Sequence, residues 1–155
     1  MYYKLFSGTI IAALAFGSML GTGYADSGVV RDGTVAKIKS GNLDKTTLTS
    51  GSLRIRIIKF RGSVLKIGIG YLGVEVHNAS DQFAPYSPSR LSFLNKDFTQ
   101  VDMLASIFGG DKLVALRDRR LAPRATIDEY YQLDQKVELP CRLYYEEKLL
   151  AEIVD

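Results

Sequence analysis

From Leu53 onward the chain places apolar residues at every second position. Leu53, Ile55 and Ile57 alternate with Arg54 and Arg56, and Ile58, Lys59 and Phe60 then shift the phase. Period two with β-branched residues predicts a strand with one face buried. Val64–Ile69 repeats the alternation through Leu65, Ile67 and Ile69. Leu72, Val74 and Val76 then alternate against Gly73, Glu75 and His77. The apolar parity therefore changes from odd to even between Ile69 and Leu72. One regular strand cannot do this, because a one-residue slip turns every side chain to the other face. Gly68–Gly70 is accordingly predicted to be a turn or a bulge.

The pattern continues to the C-terminus. Asn78-Ala-Ser-Asp reads as a turn. Pro85 and Pro88 flank a loop that holds Tyr86, and Arg90–Leu94 is a short strand with Leu91 and Phe93 on one face. Lys96-Asp97 turns the chain into Phe98–Met103. Leu104–Phe108 reads as a helical turn ended by Gly109-Gly110-Asp111, and Lys112–Leu116 as a short strand. Arg117–Arg124 reads as a charged loop and Ala125–Leu133 as a strand or mixed segment. Val137, Leu139, Cys141, Leu143 and Tyr145 alternate up to a hairpin turn at Glu146-Glu147, and Lys148–Val154 returns as the last strand. Seven to nine short strands with turn signals between them, and almost no helical period, predict an all-β fold. Antiparallel strands facing a shared core give this one-sided alternation. An antiparallel sandwich is expected, with a barrel as the alternative.

The first third of the chain reads differently. Lys4 is the only charge before Asp26, and the apolar centre Ile10–Phe16 is followed by Gly23 and Ala25 at the positions where signal peptidase needs small side chains. Residues 1–25 are therefore expected to be a signal peptide cleaved after Ala25, with a secreted or periplasmic destination. The uncharged stretch Leu5–Ala25 is also long enough to span a bilayer, so an uncleaved anchor is the alternative. Residues 26–51, rich in Gly, Ser, Thr and charge, read as a flexible N-terminal arm with a short strand near Thr34–Ile38. Residues 52–155 then form the folded domain.

Composition narrows the function classes. The 155 residues carry 20 basic and 17 acidic side chains. Loss of Lys4 with the signal leaves a balance too mild to imply nucleic acid or an anionic membrane surface. Cys141 is the only cysteine, so the domain must hold together by its core and not by an internal disulfide.

The stretch from Leu53 to the end carries a family pattern. Tyr71-Leu-Gly-Val-Glu-Val-His-Asn78, Pro88-Ser-Arg-Leu-Ser-Phe-Leu94, Leu121-Ala-Pro123 and Val137-Glu-Leu-Pro140 resemble secreted bacterial telokin-like, immunoglobulin-like sandwich domains. That family includes the mycobacterial immunoprotective secreted antigen. The resemblance spans about two-thirds of the chain, and Arg124 stands where the family's usual Gly follows the Pro. It implies an immunoglobulin-like sandwich and export, and no activity, since fold does not fix function.

Candidate chemistry is sparse. Gly68-Ile-Gly-Tyr-Leu-Gly73 fits a dinucleotide fingerprint by letters, but the strand pattern of Val74 and Val76 follows where a helix is required. His77 and Cys141 are each alone of their type, too few for a metal site. Cys141 is in phase with Leu139 and Leu143 and is expected in the core, whereas His77 is expected outside. No cofactor and no metal are expected. Arg117, Arg119, Arg120 and Arg124 place four guanidinium groups in eight residues, able to grip carboxylates or phosphates, or to form local ion pairs with Asp118 and Asp128. The pairs Tyr130-Tyr131 and Tyr144-Tyr145 each send one ring to either face of a strand, and an outward Tyr is a common recognition element. The sequence thus points to an exported, non-catalytic binding module for another protein or a cell-envelope component. The alternatives are a secreted enzyme or enzyme inhibitor with a site near His77 or Cys141, and a structural or stress-related envelope protein.

Overall fold

The computed structural model describes residues 29–30, 35–62, 69–109 and 112–155. The expected signal peptide, the alternation over Val64–Gly68 and the tip at Gly110-Asp111 lie outside these residues. Among the described residues the chain is all-β. Its strands are β1 (Val29–Val30), β2 (Ala36–Lys39), β3 (Thr47–Ser50), β4 (Leu53–Arg61), β5 (Tyr71–Asn78), β6 (Ala84–Tyr86) and β7 (Leu91–Asn95). They continue with β8 (Gln100–Phe108), β9 (Lys112–Val114), β10 (Arg119–Leu121), β11 (Thr126–Leu133), β12 (Cys141–Tyr145) and β13 (Lys148–Val154).

The main sheet runs β1-β3-β4-β5-β11-β8-β7-β12-β13-β2, with β9 added beside β8, and β6 and β10 form a separate two-stranded ribbon. Neighbours are antiparallel except β1 with β3 and β13 with β2. Strand β8 is the pivot: its residues Gln100–Asp102 pair with β7, and Met103–Ser106 pair with β11. The sheet curls about this pivot. The Phe60 ring on β4 lies 5.5 Å from the Phe93 ring on β7, although three strands separate them along the sheet. The two ends of the path, Val30 and Ala36, are also only six residues apart, which a chain spans in at most about 20 Å.

Alternation gives the curled sheet its interior. Leu53, Ile55, Ile57, Leu72, Val74 and Val76 from one arm meet Leu91, Phe93, Leu143 and Ile153 from the other, all nearly excluded from solvent. The phase shift expected after Ile57 is a β-bulge, where Ile57 faces Val74 and Lys59 faces Gly73. The bulge lets Phe60 turn inward toward Phe93.

Several expectations need correction. Within the segment read as an arm, β2 pairs with β13 and β3 pairs with β4, and Ile38, Leu43 and Leu48 are buried. Their spacing of five residues leaves no local period, so only cross-chain pairing makes them part of the core. Leu104–Phe108 is not a helical turn but the second half of β8, with Gly109 in the left-handed region at φ 60° to turn the chain. The Arg117–Arg124 segment is not wholly loop, because Arg119–Leu121 pairs with Ala84–Tyr86 and lays Leu121, Ala84 and Tyr86 over one end of the core. These short pieces raise the strand count above the seven to nine expected.

Candidate binding surfaces

The residues singled out in the sequence separate into inward and outward sets. Tyr131 and Tyr145 are buried and belong to the core, not to a binding surface. The hydroxyls of Tyr86 and Tyr131 lie 2.9 Å apart, and the Tyr131 hydroxyl donates to Glu129. The other Glu129 oxygen accepts from Arg119 Nε at 2.7 Å. The Tyr86 ring stacks on Tyr145 at 6.0 Å, and the Tyr145 hydroxyl accepts from Ser87 N–H at 3.2 Å. Burial raises the phenol pKa of Tyr86, Tyr131 and Tyr145. This chain of bonds satisfies polar atoms that the ribbon would otherwise bury unpaired.

The arginines are mostly engaged. Arg119 pairs with Glu129, whose side chain is 10% exposed. Arg124 pairs with Asp81 at 2.9 Å, and Arg120 lies over the Phe83 ring at 4.9 Å. The ion partners are thus Glu129 and Asp81, not Asp118 and Asp128. Asp118 instead accepts from Ser87 Oγ at 2.6 Å. Arg117, exposed, is its chain neighbour.

His77 and Cys141 do not meet. His77 faces out from β5, half-buried, with Nδ1 2.9 Å from Thr126 Oγ1. Cys141 faces the core, 2% exposed, and burial pushes its thiol up to about 12. A thiol held so far above neutrality supplies almost no thiolate. Among the described residues no group of three or more His, Cys, Asp or Glu side chains is placed to hold a metal ion. Asn78, which opens the expected turn, is fully buried. Its amide donates to Gln82 O at 2.7 Å and Ala122 O at 3.0 Å, and its oxygen accepts from Ser80 N–H and Oγ. It fastens the turn to the ribbon.

The outward face of β7, β8 and β12 holds a trough of about 780 Å³. Cross-strand register builds it: Tyr144 stands opposite Ser92, and Ser92 opposite Asp102. Leu94 stands in the next row, between Arg142 and Gln100. One end is closed by Ser89, Arg90, Glu146 and Glu147, with Arg90 paired to Glu146. A second hollow of about 350 Å³ shares Leu94 and continues past Lys37, Lys96, Phe98 and Arg142. Phe98, on the β7–β8 turn, is 76% exposed. Tyr144 and Leu94 thus give the trough an apolar floor where alternation would put polar residues, and Phe98 continues the apolar line past Leu94 into the second hollow. Asp102, Glu146 and Glu147 make one half acidic, and Lys37 and Lys96 make the other basic.

Of the sequence candidates, Tyr144 lies in this trough. Tyr130 lies on the other arm, over Gly73. Leu94, Phe98 and the charged ends were not singled out from sequence. Leu94 carried a signal, as an apolar residue on the polar side of a strand whose inward residues are Leu91 and Phe93. Compared with protein-family models, with curated proteins and with solved structures, the chain matches none.

Proposed function

We propose that this chain is an exported, non-catalytic, immunoglobulin-like binding module that holds another protein or a cell-envelope component in the trough of β7, β8 and β12. Export rests on the Met1–Ala25 pattern. A two-layered, sandwich reading is supported by the way β8 shares its halves between two arms, and by the Phe60–Phe93 contact across them. The observation that carries the binding role is the apolar line of Tyr144, Leu94 and Phe98 between an acidic and a basic end. Aromatic anchors rimmed by charge are what protein-recognition surfaces are built from. An extended polypeptide with a basic group at one end and an acidic group at the other fits the polarity.

Site-specific photocrosslinking tests the reading. A benzophenone amino acid placed at Tyr144 is expected to give a discrete adduct in the envelope fraction, and the same group at Asp81, in the turn between β5 and β6, to give none. Equal adducts from both positions, or none from Tyr144, would refute it.

A further inference from the structure

The other arm of the sheet carries a second surface, built by the bulge in β4. Arg54 and Arg56 are outward at even positions. The register shift after Ile57 brings Lys59 and Arg61, at odd positions, to the same outward face. Four cations therefore run along one strand at steps of about 6.7 Å, twice the strand rise. Arg56 is answered by Glu75 at 2.7 Å, and Asp128 stands opposite Glu75. Beyond them the character changes. Lys59 stands opposite Gly73 and Gly73 opposite Tyr130, while Arg61 stands opposite Tyr71 and Tyr71 opposite Gln132. No acid occupies either row.

Two tyrosines floor this end. Tyr71 and Tyr130 have ring centroids 6.1 Å apart with planes tilted by 33°. Gly73 makes room for them, because a Cβ there would come within 2.7 Å of the Tyr130 ring and 3.1 Å of Lys59 Cβ. The Lys59 ammonium lies 5.3 Å from the Tyr71 centroid. Ring faces beside cations suit a ligand that combines flat, C–H-bearing sugar rings with carboxylates, and a guanidinium fork binds a carboxylate in two-pronged fashion.

We infer that the outward face around Lys59, Arg61, Tyr71 and Tyr130 is a binding strip for a linear acidic polysaccharide, a polyuronate. Tyrosine faces take pyranose rings, Lys59 and Arg61 take carboxylates, and Arg54 extends the line toward the next acidic sugar. The trough lies on the other arm, so the two surfaces can be filled independently.

The test is affinity electrophoresis of the full chain through gels holding polygalacturonate, dextran or polyphosphate. The wild-type chain is expected to be retarded by polygalacturonate, less by polyphosphate and not by dextran. Lys59→Gln with Arg61→Gln should lose roughly tenfold in affinity and flatten the salt dependence, since each released contact removes ionic character. Tyr71→Leu should weaken binding by about fivefold with the salt dependence kept, because stacking is lost and charge is not. Lys37→Gln with Lys96→Gln, on the trough, serves as the charge-matched control and should keep wild-type retardation. Circular dichroism confirms folding, and Arg61→Gln alone stands in if the double variant does not fold. No retardation of the wild type, equal retardation by polyphosphate, or equal loss in the control pair would overturn the inference.

Discussion

At the scale of single residues, burial decides what the side chains can do. Asn78 ends an apolar strand and could be taken for a surface turn residue, yet it is the buried knot between two loops. Its neighbours Ala79 and Ser80 gave the turn but not the distant partner, which lies more than forty residues away at Ala122. Cys141 was legible as a core residue from its phase with Leu143. Its raised thiol pKa has a consequence for stability. The ordinary cysteine value is about 8.5, and the folded value lies above it at about 12. The neutral thiol therefore stabilises the fold fully below about pH 8.5, and this contribution is lost as pH rises toward 12. Urea midpoints measured from pH 8 to 10.5 should fall more steeply for the wild type than for Cys141→Ala. Parallel curves would contradict the burial argument. Iodoacetamide gives the same reading kinetically, with slow labelling of the native chain and fast labelling in urea.

At the scale of elements, strands with one clean face were readable and strands without one were not. β4, β5, β7 and β12 follow the two-residue period because one side meets the core and the other meets water. The second half of β8 does not, because neither of its faces is fully buried: Leu104 and Phe108 are exposed, and Ala105, Ser106 and Ile107 are only partly covered. β2 lies close to the short strand expected near Thr34–Ile38, whereas β3 brings Leu48 as its single buried apolar residue, too little to signal a strand. The Glu146-Glu147 hairpin was legible, but its conformation was not. Tyr145 pairs with Lys148 across a two-residue loop, and both glutamates have positive φ, 50° and 67°. That is the geometry of a type I′ turn, which favours Asn-Gly and strains branched or long side chains. Glu146→Asn with Glu147→Gly should raise unfolding stability by about 1 kcal/mol, despite losing the exposed pair with Arg90, since such pairs contribute little. Chemical denaturation reads this directly, and a lower stability would show that the Arg90–Glu146 contact outweighs backbone strain.

At the scale of the whole molecule, the curl produces the two candidate surfaces. A flat sheet would present one mixed outer face. Folding about β8 puts the trough on one arm and the cation-and-tyrosine strip on the other, and the β6–β10 ribbon caps the core between them. Periodicity alone could show neither surface, because both depend on which strands become neighbours. Tyr144 was readable as outward, but its companions Leu94 and Phe98 join it only through the β12–β7 register and the β7–β8 turn. Four arginines in eight residues drew attention in the sequence, and three of them are occupied within the fold.

The trough reading is tested most directly by a Leu94→Ser, Phe98→Ser, Tyr144→Ser variant, assayed for capture of the species that crosslinks at Tyr144. All three side chains point outward, so the variant should fold with a melting temperature near that of the wild type. It should capture at least about tenfold less, as expected when clustered aromatic anchors are removed. Undiminished capture by a folded variant would mean that the partner sits elsewhere.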